Sequence, residues 1–270
     1  MKITDFDLAQ TLECGQCFNF EKISDNEYVV AAMGRVLHVK QEGSELSFLN
    51  ASEEDIRNIW VPYFDLDRDY SEIKNELVKA EPRLKPIIEK CSGIRILNQD
   101  FTETLISFII SQNKNIPQIK KIVRAICDGF GREAEMEYHV FPSLCELANM
   151  TEQDFRDLKT GFRAPYIMNA IEFLKKTDGE SMKAMTFAQA KEALTSIKGV
   201  GDKVANCVLL FSLGFRSAFP VDVWIKRIME EMYFGCDTPK KEIESFAAER
   251  FGKWGGYAQQ YLFMYAREKS

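Results

Sequence analysis

Between residues 18 and 49 the apolar positions come in short runs rich in β-branched and aromatic residues, at 28–33, 35–40 and 45–49, parted by turn residues. Such runs predict antiparallel strands. From about residue 95 the spacing lengthens to three and four, the period of a helix with one buried face. Helices are predicted over approximately 117–130, 165–175, 187–196, 221–233, 240–251 and 256–267. Asp100 with Glu103, ahead of the apolar run 105–110, has the spacing of a helix start, and so has Thr151 with Asp154. The fold class expected is α+β: an N-terminal antiparallel β-sheet domain over 1–95, then an all-helical domain over 96–270. No internal repeat or low-complexity segment interrupts either part.

One turn between two helical patterns is unlike the rest. Lys198-Gly199-Val200-Gly201 reads as a tight hairpin joining two helices, with glycines supplying positive φ and close backbone approach. Its exposed amides suit a phosphate. Asp202 is a good N-cap by type, which would put Lys203 in the first turn of a helix running to about Leu213. The positive end of a helix works against an ammonium, and the free amine is a nucleophile. Asp222, after Pro220 and before another amphipathic segment, is placed to cap that segment while facing a pocket. Amine and carboxylate together suit attack on a sugar carbon that develops positive charge. Each feature alone is also what an ordinary turn, a solvated lysine and a helix cap look like.

With 270 residues and 46% hydrophobic content, the chain can bury a sizeable core, and its length suggests about two domains. No basic-then-apolar leader and no apolar run near ~18 residues appears, so a soluble protein is expected, with no membrane partner. The default compartment is the cytoplasm, at the nucleoid of a bacterium, or the nucleus of a eukaryote. A net charge of −6 argues mildly against a nucleic-acid partner, but its distribution is uneven. Acidic residues gather at 52–69 and 132–137. Lys114, Lys120, Lys121 and Arg124 gather in one segment, and Lys198, Lys203, Arg216, Lys226 and Arg227 surround the hairpin. One basic face on an acidic body is expected.

Seven scattered cysteines do not form a disulfide framework, and reduced thiols fit the cytoplasm. Cys14-Gly15-Gln16-Cys17 is a C-x-x-C, but no second such pair or paired histidine spacing completes a zinc site. No metal ligand set is expected.

The G-V-G hairpin, the lysine after it and the Pro220-Val221-Asp222 loop, taken in order, resemble the helix-hairpin-helix DNA glycosylases. Within that superfamily the chain is similar to the 8-oxoguanine DNA glycosylase/AP lyase branch along nearly its whole length. The matching segments are Gly15-Gln16-Cys17-Phe18, residues 106–116, Phe141-Pro142-Ser143-Leu144, Gly161-Phe162-Arg163-Ala164, the hairpin region and residues 254–263. Some members carry a four-cysteine iron–sulfur cluster after the catalytic region, and here only Cys236 follows Cys207, so no cluster is expected.

The resemblance implies base-excision repair of double-stranded DNA containing oxidised guanine, by a bifunctional glycosylase and β-elimination lyase acting as a monomer. Lys203 would be the nucleophile and Asp222 would stabilise the oxocarbenium-like charge. Such an enzyme must flip its target nucleotide out of the stack. The flipped base would lie between Cys207 and Phe263, with Gln259 on its Watson–Crick edge and the Gly15 carbonyl accepting from N7–H. Spacing alone places Lys203 with Cys207, and Gln259 with Phe263, on common helix faces. It leaves open whether Cys207 and the aromatic last helix are simply core, and whether Gly15 is only a turn residue. Asn113 would fill the vacated space, Phe162 would act as a wedge and Arg163 would contact the estranged cytosine. Gly199 and Gly201 would present the hairpin amides to phosphate. No cofactor is required, and a structural monovalent cation on the hairpin carbonyls is compatible with the pattern.

Two departures bear on this expectation. Members that demand cytosine opposite the lesion often have a second arginine where this chain has Gln118, so weaker discrimination of the opposite base is expected. Trp224 stands where animal-type members have a histidine, which puts a phosphate contact in doubt. A monofunctional alkyl-base glycosylase would lack the lysine, and a non-catalytic helix-hairpin-helix module would need neither Asp222 nor a base pocket.

Overall fold

The computed structural model describes residues 1–269. Four strands, β1 (Phe20–Ser24), β2 (Glu27–Ala32), β3 (Arg35–Glu42) and β4 (Glu45–Phe48), form an antiparallel meander in the order β1-β2-β3-β4. Val30 pairs with Leu37 and Val39 with Phe48. This register puts Tyr28, Val30, Leu37, Val39 and Leu46 on one face, where they pack with Leu8, Leu12, Trp60 and Phe64. Val29, Ala31 and Val36 point the other way and meet Val140. Both faces of β2 are therefore covered, which is why it reads as an apolar run rather than an alternating one.

Helices precede and follow the sheet within the first 95 residues, where the strand pattern had dominated. The ones that matter are α1 (Leu8–Glu13), α2 (Tyr70–Ala80, capped by Asp69) and α3 (Lys85–Lys90). Tyr70, Ile73 and Leu77 recur at helical spacing and join the helical core, with Tyr70 edge-on to Tyr257 at 5.5 Å. The stretch 70–94 thus packs with the second half of the chain although it precedes the expected boundary at 95.

The helical part contains α4 (Phe101–Ile110), α5 (Ile116–Phe130), α6 (Ala164–Leu174), α7 (Phe187–Thr195), α8 (Asp202–Phe211), α9 (Val223–Met229), α10 (Lys240–Phe251) and α11 (Gly255–Glu268). Helices α4 and α8 are the buried pair, joined by stacked Phe108 and Phe211 rings at 5.5 Å. The apolar surface they bury is the main stabilising term of this half.

Two buried polar side chains fix the segment leading into the sheet. Gln16 donates from Nε2 to the carbonyls of Thr11 and Arg95, both at 2.8 Å, and its Oε1 accepts from the Leu97 amide at 2.9 Å. Arg95 is 2% exposed and spends its guanidinium on the carbonyls of Thr4, Asp5, Asp65 and Arg68. Such fully satisfied buried groups allow one arrangement only, so the turn at Gly15 is held rigidly against the helical part.

Candidate active site

The hairpin joins α7 to α8 as the glycines require. Gly199 has φ +98°, and a Cβ there would lie 2.2 Å from Cγ of Tyr166, so both its conformation and its close approach demand glycine. The cap of α8 differs from the expectation. Gly201 is the N-cap, in extended conformation, and Asp202 is the first helical residue, its carboxylate drawn 3.2 Å from the Lys191 ammonium. The helix closes at Phe211 rather than Leu213. Lys203 keeps its place in the first turn.

Lys203 Nζ donates to Oγ of Ser111 at 3.0 Å and sits 5.0 Å from the centre of the Phe108 ring. Ser111 follows the last turn of α4, so the helix pair positions the amine from both sides. Asp222 caps α9, its Oδ1 accepting from the amides of Trp224 and Ile225, each at 2.9 Å. Among the described residues no donor bonds Oδ2.

Lys203 and Asp222 line a cleft of about 600 Å³ together with Gly15, Asn113, Phe162 and Phe263. They also line a smaller cavity of about 40 Å³, whose walls include Gly15, Cys207, Gln259, Gln260 and Phe263. That space is too small for a purine, so a base would enter only if side chains of its walls move. Residues from the first turn, the hairpin helix and the last helix are thereby brought to one point. Gly15 has φ +81°, and a Cβ there would meet Cδ1 of Ile116 at 3.0 Å and Cε1 of Phe263 at 3.2 Å. Burial pushes the Cys207 thiol up to about 11, so it is neutral around pH 7. Gln259 is buried, and its Oε1 accepts from Nε2 of Gln260 at 3.2 Å.

The residues expected to face the duplex divide into two groups. Asn113 is exposed at the rim with φ +51°, and Phe162 is half exposed, its ring edge-on to Tyr166 at 6.1 Å. Arg163, expected to contact an estranged base, is instead turned inward and only 4% exposed. Its guanidinium donates to the carbonyl of Gln112, at 2.8 Å from Nε and by a further bond from Nη2, and to that of Thr160 at 3.0 Å. Gln112 in turn donates to the Gly199 carbonyl at 3.1 Å. Gln118 is exposed at the third position of α5 and is engaged in a reciprocal capping box with Asn115.

The basic face is smaller than the charge count suggested. Lys226 is bound to Glu230 and Asp237, Arg124 to Asp128, and Arg216 reaches inward to the Leu210 carbonyl and Asn98. Lys114, Lys240 and Arg267 line the cleft, and Lys198 and Arg227 are exposed. Ser111, Gln260 and Arg267 were not singled out from sequence. Ser111 and Gln260 lie one or two residues from ones that were, and Arg267 follows Phe263 by one turn. All seven cysteines are free thiols, and among the described residues no cluster of three or more His, Cys, Asp or Glu is arranged to hold a metal. No described helix is long and apolar enough to cross a membrane.

Comparison with known proteins covers both parts of the chain. Residues 1–105 match the family described as 8-oxoguanine DNA glycosylase, N-terminal domain, and residues 106–253 match the HhH-GPD superfamily base excision DNA repair proteins. The chain is 31% identical to the N-glycosylase/DNA lyase of Saccharomyces cerevisiae, an alignment covering 93% of this chain and 80% of that protein. It is 29% identical to the N-glycosylase/DNA lyase OGG1 of Arabidopsis thaliana, covering 97% of this chain and 77% of that protein. Among solved structures, the Clostridium acetobutylicum 8-oxoguanine glycosylase/lyase in complex with double-stranded DNA containing cytosine opposite 8-oxoG superposes with a TM-score of 0.95 at 40% identity, covering 98% of this chain and 93% of that one. The two family matches cover the sheet part and the helical part in turn, the solved structure superposes over nearly the whole chain, and the chain belongs to the 8-oxoguanine DNA glycosylase family of the HhH-GPD superfamily of base excision DNA repair proteins.

Proposed function

We propose that the chain removes 8-oxoguanine from duplex DNA and then cleaves the strand at the abasic site it has made. The observation that carries this reading is that Lys203 and Asp222 line both the large cleft and the smaller cavity, where Gly15, Cys207, Gln259 and Phe263 converge. The cleft suits the duplex and the flipped sugar, and the cavity, once side chains of its walls move, suits the base. The Gly15 carbonyl would accept the N7–H that guanine lacks, and a missing bond at a buried site costs about 1–3 kcal/mol, enough to discriminate.

The chemistry follows from the two side chains. An uncharged Lys203 that donates one N–H to Ser111 keeps its lone pair for the sugar C1′. Attack forms the N–C1′ bond as the bond from C1′ to the base breaks, and the base leaves with the electron pair and takes up the proton that the new ammonium sheds. Asp222 Oδ2 faces the positive charge that grows on C1′ and its ring oxygen. Ring opening then gives a Schiff base, which acidifies the C2′ proton. Its removal expels the 3′ phosphate by β-elimination. No redox step occurs.

Asn113 would occupy the gap left by the base and Phe162 would wedge beside it, both being exposed at the cleft rim. Arg163 would reach the estranged base only by leaving the Gln112 carbonyl. The carbonyls of Ile197 and Gly199 each accept one bond, from Val200 and Gln112, and keep a lone pair that suits a structural monovalent cation bridging to phosphate. The protein would act as a monomer, on chromosomal DNA in a nucleoid or nucleus.

The test is a duplex with 8-oxoguanine opposite cytosine, incubated with protein and borohydride. A covalent adduct that disappears in Lys203→Gln is the expected result. Excision without trapping would favour a water-based mechanism, and binding without excision would sink the enzyme reading.

A further inference from the structure

Gln260 has no part in the mechanism above, yet it lines the small cavity beside Gln259 and is 3% exposed. Its Nε2 donates to Oε1 of Gln259. Its own Oε1 is buried with no hydrogen-bond partner among the described residues. A buried carbonyl left unpaired is costly, and at the wall of a ligand cavity the natural explanation is a donor brought by the ligand. The Tyr257 and Tyr261 hydroxyls are also unpartnered, but they belong to the core and line neither this cavity nor the cleft.

We propose that Gln260 is a specificity-determining residue that accepts a hydrogen bond from the 2-amino group of the flipped base. The inference rests on the reading of the cavity as the site for 8-oxoguanine. The edge of that base carries an acceptor, O6, then two donors, N1–H and the 2-amino group. The glutamine pair presents the complement. Gln259 supplies Nε2 as donor and keeps a second lone pair on Oε1 as acceptor, and Gln260 supplies a further acceptor. The Gln260-to-Gln259 bond couples the orientations of the two amides. A single amide could bond O6 and N1–H but would not sense the 2-amino group. Gln260 supplies that third contact.

8-Oxohypoxanthine isolates the third contact, because it keeps O6, N1–H and N7–H and lacks only the 2-amino group. Single-turnover excision is compared for 8-oxoguanine and 8-oxohypoxanthine, each opposite cytosine, with wild type, Gln260→Leu and Gln260→Met. The wild type is expected to prefer 8-oxoguanine by about tenfold, one hydrogen bond's worth, and both variants to bring the ratio near one. Borohydride trapping on a preformed abasic duplex, which carries no base, reports whether each variant is folded with Lys203 competent. A wild-type ratio near one, or variants that trap normally and keep the wild-type ratio, overturns the role of Gln260. A wild type that traps on abasic DNA but excises neither base overturns the substrate reading beneath it.

Discussion

Arg163 holds the main-chain carbonyl of Gln112 with its guanidinium, 2.8 Å from Nε, and so ties the turn before α6 to the loop that carries Asn113. Because Gln112 also donates to the Gly199 carbonyl, three segments form one unit: the Asn113 loop and the Phe162 turn, which line the cleft, and the hairpin. Arg163→Ala removes these charged donors from buried carbonyls and is expected to lower stability by about 2 kcal/mol, read from the urea midpoint. An unchanged midpoint would mean that the bonds contribute nothing.

Gly15→Ala should separate base recognition from lyase chemistry. The added methyl would press on Ile116 and Phe263 at a φ that L-residues rarely adopt, and both line the cleft beside the proposed base cavity. A loss of about 100-fold in 8-oxoguanine excision is expected, the scale of a site misplaced by about 1 Å. Trapping on preformed abasic DNA, which needs no base pocket, should fall far less. Equal losses in both assays would refute this separation.

Gln118 is occupied in the capping box of α5 and has no positive charge to offer an estranged base. Excision of 8-oxoguanine opposite C, A, G and T is therefore expected to vary little. A strong preference for cytosine would show that another group reads that strand, and Arg163 released from Gln112 would be the first to examine.

The Cys207 thiol, pushed up to about 11 by burial, should resist alkylation at pH 8 in the folded protein. Exposed Cys145 and Cys236 should react first. Mass spectrometry after brief iodoacetamide treatment distinguishes them, and early labelling of Cys207 would contradict its buried, neutral state.

Acid stability should depend on Glu81, whose side chain is 2% exposed. It accepts from Arg83 at 2.8 and 3.0 Å and from Arg250 at 3.0 Å. The Arg83 hydrogen bonds, aided by Arg250, hold the carboxyl down to about 2, against an ordinary value of 4.5. A depressed folded value means the stabilisation is complete above about pH 4.5 and is lost as pH falls towards 2. Glu81→Gln should be less stable than wild type at pH 7, by about 2 kcal/mol given its half-exposed arginine partners, and the two should converge near pH 2. A constant difference across that window would assign the effect to packing.

The sequence alone determined what depends on neighbours along the chain. The strands at 27–48, the helices from Phe101 onward, the caps at Asp100, Thr151 and Asp222 and the glycine hairpin are written in periodicity, side-chain oxygens and φ preferences, all of which act within a few residues. The family resemblance added the roles proposed for Lys203 and Asp222. Only the tertiary structure decided what depends on packing between distant segments. It turned Arg163 inward to the carbonyls of Gln112 and Thr160 and drew Asp202 towards Lys191. It also assigned α2 and α3 to the helical core because their apolar stripe meets Tyr257 and its neighbours there. It closed Gly15 against Phe263, from opposite ends of the chain, and set Gln260 beside Gln259 in the wall they share. Local pattern fixes which face of an element is apolar. Which element that face meets, and which buried polar groups are left for a ligand, is settled only when the whole core packs.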